Sequence, residues 1–142
     1  MPSLSALAPL SLALVGAVVY HLSQKSVPDG AGPFVVIGVA YAVGLATCVG
    51  IVVASGAPVL ESARAAWRPA IGVGLGVLAI EAGFLLAYRA GWPLSTASLI
   101  VNVSVAVVLL VAGLAFFGES LTARQWAGIG ACLVGLALIT SR

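Results

Sequence analysis

Five long apolar runs, separated by short polar breaks, set the pattern of the chain. They cover roughly residues 6–23, 34–54, 70–89, 94–117 and 121–140. Each run is continuous rather than alternating, so the strands of a membrane barrel do not fit. As a helix rising 1.5 Å per residue, each run spans a hydrocarbon core of about 30 Å. The pattern predicts an all-α polytopic membrane protein. It would have about five transmembrane helices in a single domain over residues 1–142.

The breaks carry the marks of helix ends. Pro33, Pro69 and Pro93 each stand just before a run, where the missing N–H leaves nothing unpaired. The stretch from Gln24 to Pro33 holds Lys25, Asp29, Gly30 and Gly32. The stretch from Glu61 to Pro69, with Arg64 and Arg68, reads as the longest polar connection. The break from Gly118 to Arg124 is so short that the last two helices form a tight antiparallel hairpin. Trp67, Trp92 and Trp126 all fall at predicted helix ends, where indole keeps its ring in apolar surroundings and its N–H near water. A cleaved signal peptide over residues 1–22 is the competing reading of the first run. That run lacks the basic start such peptides carry, and its exit (His21, Gln24, Lys25) resembles a helix end.

Composition sharpens the class. Hydrophobic residues make up 62% of the chain and charged residues 7%, against about 25% charged in a soluble domain. A water-facing surface cannot be built from so few charges. The net charge of +2 comes from scattered basic residues, which offer nucleic acid no patch. Cys48 and Cys132 sit in apolar runs without metal-type neighbours, so each reads as a small buried hydrophobe. No metal-spaced cluster, nucleophile elbow or phosphate-binding glycine loop occurs. The chain does not read as an enzyme, and no cofactor is implied.

Five spans put the two ends of the chain on opposite faces. On the face of the N-terminus, side A, lie Arg64, Arg68 and Arg124; on side B lie Lys25, Arg89 and Arg142. This even split gives the positive-inside rule almost nothing to act on. Either six charges are too few to carry a bias, or the chain inserts both ways and forms an antiparallel pair.

Seventeen glycines allow close helix contacts. Gly72, Gly74 and Gly76 open the third run, and Gly128, Gly130 and Gly135 lie in the fifth. These stretches serve packing within the chain or, in the fifth run, a dimer seam.

One acid lies inside a run. Glu81 is eleven residues past Ala70, about 16 Å into a core of about 30 Å. A charge at that depth is unfavourable by at least about 2.5–3.5 kcal/mol. It must face a cavity, find a partner or hold a proton. Glu81 is therefore either a proton- or cation-binding site or a hydrogen-bonded tie between helices. Asn102, Ser104, Tyr41 and His21 are the other polar groups that could line a cavity with it. Their alternatives are interhelical hydrogen bonding for Asn102 and Ser104, packing for Tyr41 and an interfacial place for His21.

The last third of the chain carries a distinctive run from Ala112 through Phe116-Phe117-Gly118-Glu119-Ser120-Leu121-Thr122. It leads into Gln125-Trp126-Ala127-Gly128 and then Gly135. This resembles the end of a repeat in the drug/metabolite transporter superfamily, of the EamA-like kind and related to the small multidrug resistance proteins. Tyr20-His21-Leu22-Ser23-Gln24-Lys25 is similar to the polar exit of the first helix of such repeats. Within the motif, Phe117, Gly118 and Glu119 read as structural: Gly118 turns the chain, and Glu119 precedes a helix whose N–H groups it can cap.

The resemblance implies a multi-pass protein of a bacterial or archaeal cell membrane that moves a small solute, a drug or metabolite. Members of the EamA type typically carry two five-helix repeats, and this chain has one. The key acid of the small multidrug resistance proteins lies in their first helix, whereas the first run here has no acid. Glu81 is thus a candidate on physical grounds and not by motif. One repeat could pair with an inverted copy of itself, giving a dimer around a central cavity. The alternatives are half of a heterodimeric transporter and a non-transporting membrane subunit or scaffold.

Overall fold

The computed structural model describes residues 4–118 and 120–140. They form five helices: α1 (Leu4–Lys25), α2 (Pro33–Ser55), α3 (Val59–Arg89), α4 (Leu94–Phe116) and α5 (Ala123–Thr140). All five are long and apolar enough to cross a membrane. No strand occurs among the described residues.

One boundary departs from the sequence expectation. The third helix begins at Val59, so the polar stretch from Glu61 to Pro69 is helical and not a connection. Ala, Glu and Arg dominate that stretch, and these are strong helix formers. Pro69 therefore sits inside a helix of 31 residues. It has no N–H to offer the carbonyl one turn earlier, on Ala65. The actual connection is only Gly56–Pro58.

Local chemistry sets the other ends. Gly56 follows α2 with φ 65° and ψ 24°, the left-handed cap conformation. Its N–H donates to the Val53 carbonyl at 3.4 Å. At the start of α5, Thr122 and Gln125 form a capping box. The Gln125 side-chain oxygen accepts from the Thr122 N–H and hydroxyl, both at 2.8 Å, and the Gln125 N–H donates to the Thr122 hydroxyl at 3.4 Å.

The chain divides into two compact units, Met1–Ala90 and Gly91–Arg142. In the first, α3 packs against both α1 and α2; in the second, α4 packs against α5. Few side chains are covered by protein. The buried hydrophobic residues of the first unit are Ile37, Phe84, Leu85 and Tyr88. Cys48 and Cys132 are exposed, which corrects their reading as buried residues. The glycine-rich faces are equally open: apart from the backbone of the helix itself, no atom of the described residues lies within 4 Å of where a Cβ would stand at Gly72, Gly74, Gly76, Gly128, Gly130 or Gly135.

Two glycines near each other in sequence should respond oppositely to alanine. Gly56 holds a positive φ with open space around it, so Gly56→Ala should destabilise by about 1 kcal/mol through backbone strain alone. Gly44 lies within α2, also in open space, so Gly44→Ala should stabilise by roughly 0.5–1 kcal/mol. Reversible unfolding in detergent micelles measures both.

Candidate functional site

The polar groups of the first unit gather where the C-terminal turns of α1 and α3 run side by side. Tyr20, His21 and Gln24 share one face of α1, and Glu81, Phe84, Leu85 and Tyr88 share one face of α3. Phe84 receives two rings edge-on, His21 at 4.6 Å and Tyr20 at 6.2 Å between centroids. Tyr88 stacks on Phe84 at 5.8 Å. Its hydroxyl is hydrogen-bonded to His21 Nδ1 at 3.0 Å.

Two cations close the side-B end of this seam. The Lys25 ammonium lies 5.6 Å from the centre of the Tyr88 ring and donates to the Tyr88 carbonyl at 3.5 Å. A cation at the last carbonyls of a helix complements its dipole. The Arg89 guanidinium donates to the carbonyl of Pro28 at 3.3 Å and to that of Ala31, both in the α1–α2 connection. The charges placed at helix ends by the sequence thus tie α3 to α1 and to the following loop.

One layer deeper lies the acid. The Gln24 amide nitrogen reaches the Tyr20 hydroxyl at 3.3 Å and the Glu81 backbone carbonyl at 3.5 Å. The Glu81 side chain is half-buried. Among the described residues no donor hydrogen-bonds to its carboxylate. It lies close enough to Tyr20 on α1 and Tyr41 on α2 for its charge to act on both phenols. Gln24 thus links the Tyr20 hydroxyl of α1 to the α3 backbone at Glu81, while Tyr41 on α2 is exposed.

The seam is incomplete in two respects. Gln24 Oε1 and Arg89 Nε are buried without a hydrogen-bond partner among the described residues, and each such atom is unfavourable by about 1–3 kcal/mol. Contact is also confined to one end. Residues 7–19 of α1 are all exposed, as are residues 59–77 of α3.

Of the five polar candidates in the sequence, His21, Tyr41 and Glu81 belong to this unit. Asn102 and Ser104 lie on α4 in the other unit, and both are exposed. Asn102 lines an apolar groove of about 490 Å³ between α4 and α5, with Val103, Ala106, Gly128, Ile129 and Cys132. In the hairpin motif, the Phe117 N–H donates to the Gly113 carbonyl at 3.2 Å, and Gly118 turns the chain at φ 64°. Glu119 lies outside the described residues. Tyr20, Gln24, Phe84 and Tyr88 went unnoticed as site residues. Their signal is the helical spacing of aromatic and polar groups on one face of each helix.

These helices define a multi-pass membrane protein whose polar side chains concentrate on one interhelical seam. The model of the EamA-like transporter family matches residues 4–141, and the chain belongs to that family. No curated protein and no solved structure shows a significant match.

The His21–Tyr88 bond can be weighed directly. Tyr88→Phe keeps the stack on Phe84 and removes the hydroxyl. In a double-mutant cycle with His21→Ala, unfolding in micelles should give a coupling of about 0.6 kcal/mol.

Proposed function

We propose that this chain is a secondary transporter of a small solute, a drug or metabolite, in a bacterial or archaeal cell membrane. It alternates access as a dimer, with Glu81 exchanging a proton or a solute. One observation carries this reading: a half-buried carboxylate near mid-depth beside the α1–α3 seam, with no donor among the described residues bound to it. An ionised acid at that depth is unfavourable by several kcal/mol. A ligand or proton that arrives and leaves gives such an acid its role. Family membership supports transport of small solutes as the general activity.

The α1–α3 seam is the closed end of this site. Tyr88, Lys25 and Arg89 seal side B, while residues 7–19 of α1 are exposed towards side A. Opening at side B needs only those few contacts to break. Asn102 and Ser104, on α4, are further candidates for hydrogen bonds to the solute. The even split of basic residues supports an antiparallel arrangement of two copies, and the open glycine faces suit close contact between them. Inversion leaves a group at mid-depth near mid-depth, so the two Glu81 side chains would titrate as a coupled pair.

Proteoliposomes holding the purified chain and an entrapped pH dye provide the test. A panel of solutes is added against an imposed pH gradient. A transported solute should drive proton movement, and Glu81→Gln should reduce it to the level of empty liposomes while helicity stays unchanged. Unaltered coupling in Glu81→Gln would remove this acid from the mechanism. Activity that appears only with a second protein would replace the homodimer by a heterodimer. Tags on both termini, mapped from each side, should report both orientations; a single orientation excludes the antiparallel pair.

A further inference from the structure

Helix α3 is too long for the hydrocarbon it crosses. Its 31 residues extend about 46 Å at 1.5 Å per residue, against a core of about 30 Å. The side-B end is fixed by Arg89, bound to the α1–α2 connection. The excess therefore falls at side A, in the turns before Pro69. The neighbouring α2 has 23 residues, about 34 Å, and only Gly56–Pro58 join the two helices. The first turns of α3 thus begin beside the membrane surface.

Those turns are amphipathic. Val59, Leu60, Ala63, Ala66 and Trp67 fall at i, i+1, i+4, i+7 and i+8, which makes one stripe. Glu61, Arg64 and Arg68 fall at i, i+3 and i+7 on the opposite stripe. Every residue from 59 to 68 is exposed. The Arg68 guanidinium lies 5.2 Å from the Trp67 ring centre, and Arg64 helps line a shallow hollow of about 450 Å³ at the start of the helix. Glu61, in the first turn, is complemented by the positive end of the helix dipole. The two arginines are left to face outward. The Ala65 carbonyl, to which Pro69 offers no N–H, also fits this place, since the headgroup layer can hydrate it and hydrocarbon cannot.

We infer that the side-A turns of α3, Val59–Arg68, bind anionic phospholipid headgroups through Arg64 and Arg68, with Trp67 at the membrane interface. The complementarity is chemical. A guanidinium forms paired hydrogen bonds with phosphate, and indole prefers the interface. A net negative headgroup gains the full attraction, and a zwitterionic one does not. In an antiparallel pair, each leaflet would receive one such helix end.

The test uses the full chain. It is reconstituted in vesicles of equimolar phosphatidylglycerol and phosphatidylcholine and extracted in mild detergent, and its retained lipids are counted by mass spectrometry. Phosphatidylglycerol should be enriched over phosphatidylcholine. Arg64→Gln and Arg68→Gln should each lower the enrichment about fivefold, and the double variant should abolish it. Lysine at both positions should retain most of it. Arg124→Gln, at the start of α5, should leave it unchanged. Equal retention of the two lipids by the unaltered chain would overturn the inference. So would undiminished enrichment in the double variant, or a double variant that loses only its dimer while its lipid count stays the same.

Discussion

Hydrocarbon offers a peptide group nothing to hydrogen-bond with, and the rest of this structure follows from that. Each crossing segment must close its backbone bonds within itself, so each is a helix. Side chains obey the same rule less strictly. Charged groups collect at helix ends, where water, headgroups or free carbonyls receive them. Lys25 and Arg89 go further and use the last carbonyls of α3 and the carbonyls of the α1–α2 connection as their partners. In that way the scarce charges of an apolar chain become its fasteners. Glu81 is the exception, since it lies deep and its carboxylate takes no donor among the described residues.

The same scarcity shapes the seam between α1 and α3. Lipid tails pack against leucine about as well as leucine does, so apolar burial hardly drives helices together in a bilayer. Association rests on a few specific contacts, here the rings of Tyr20, His21, Phe84 and Tyr88 and the bonds around them. These contacts occupy only the last turns of α1. Two buried polar atoms, Gln24 Oε1 and Arg89 Nε, remain unsatisfied there among the described residues. A seam held at one end, with part of its binding energy offset by unpaired atoms, separates more readily than one zipped along its length.

Much of the fold was legible because the apolar runs are long and the breaks contain proline, glycine and charge. The start of α3 was not. Charged residues before Pro69 read as a loop, since a proline ahead of an apolar run usually marks the first turn. The helix continues through it because Ala, Glu and Arg favour helix before the proline, and the apolar run after it must close its own backbone bonds in hydrocarbon. Of the site, Glu81 stood out through its charge alone. The roles of Tyr20, Gln24 and Tyr88 depend on which face of α1 meets which face of α3. Local sequence holds the faces but not their pairing. Thr122 and Gln125 were visible as part of a family motif, while their reciprocal capping bonds emerge only from the geometry.

The number of crossings has a consequence of its own. Five is odd, so the chain leaves the membrane on the face opposite the one it entered. Two such chains joined head to tail would therefore place the second upside down relative to the first, with no linking helix required. A four-helix unit joined in the same way would repeat its own orientation. An odd unit carries inverted symmetry into any tandem duplication, and a single ancestral sequence can supply both halves of a two-sided machine.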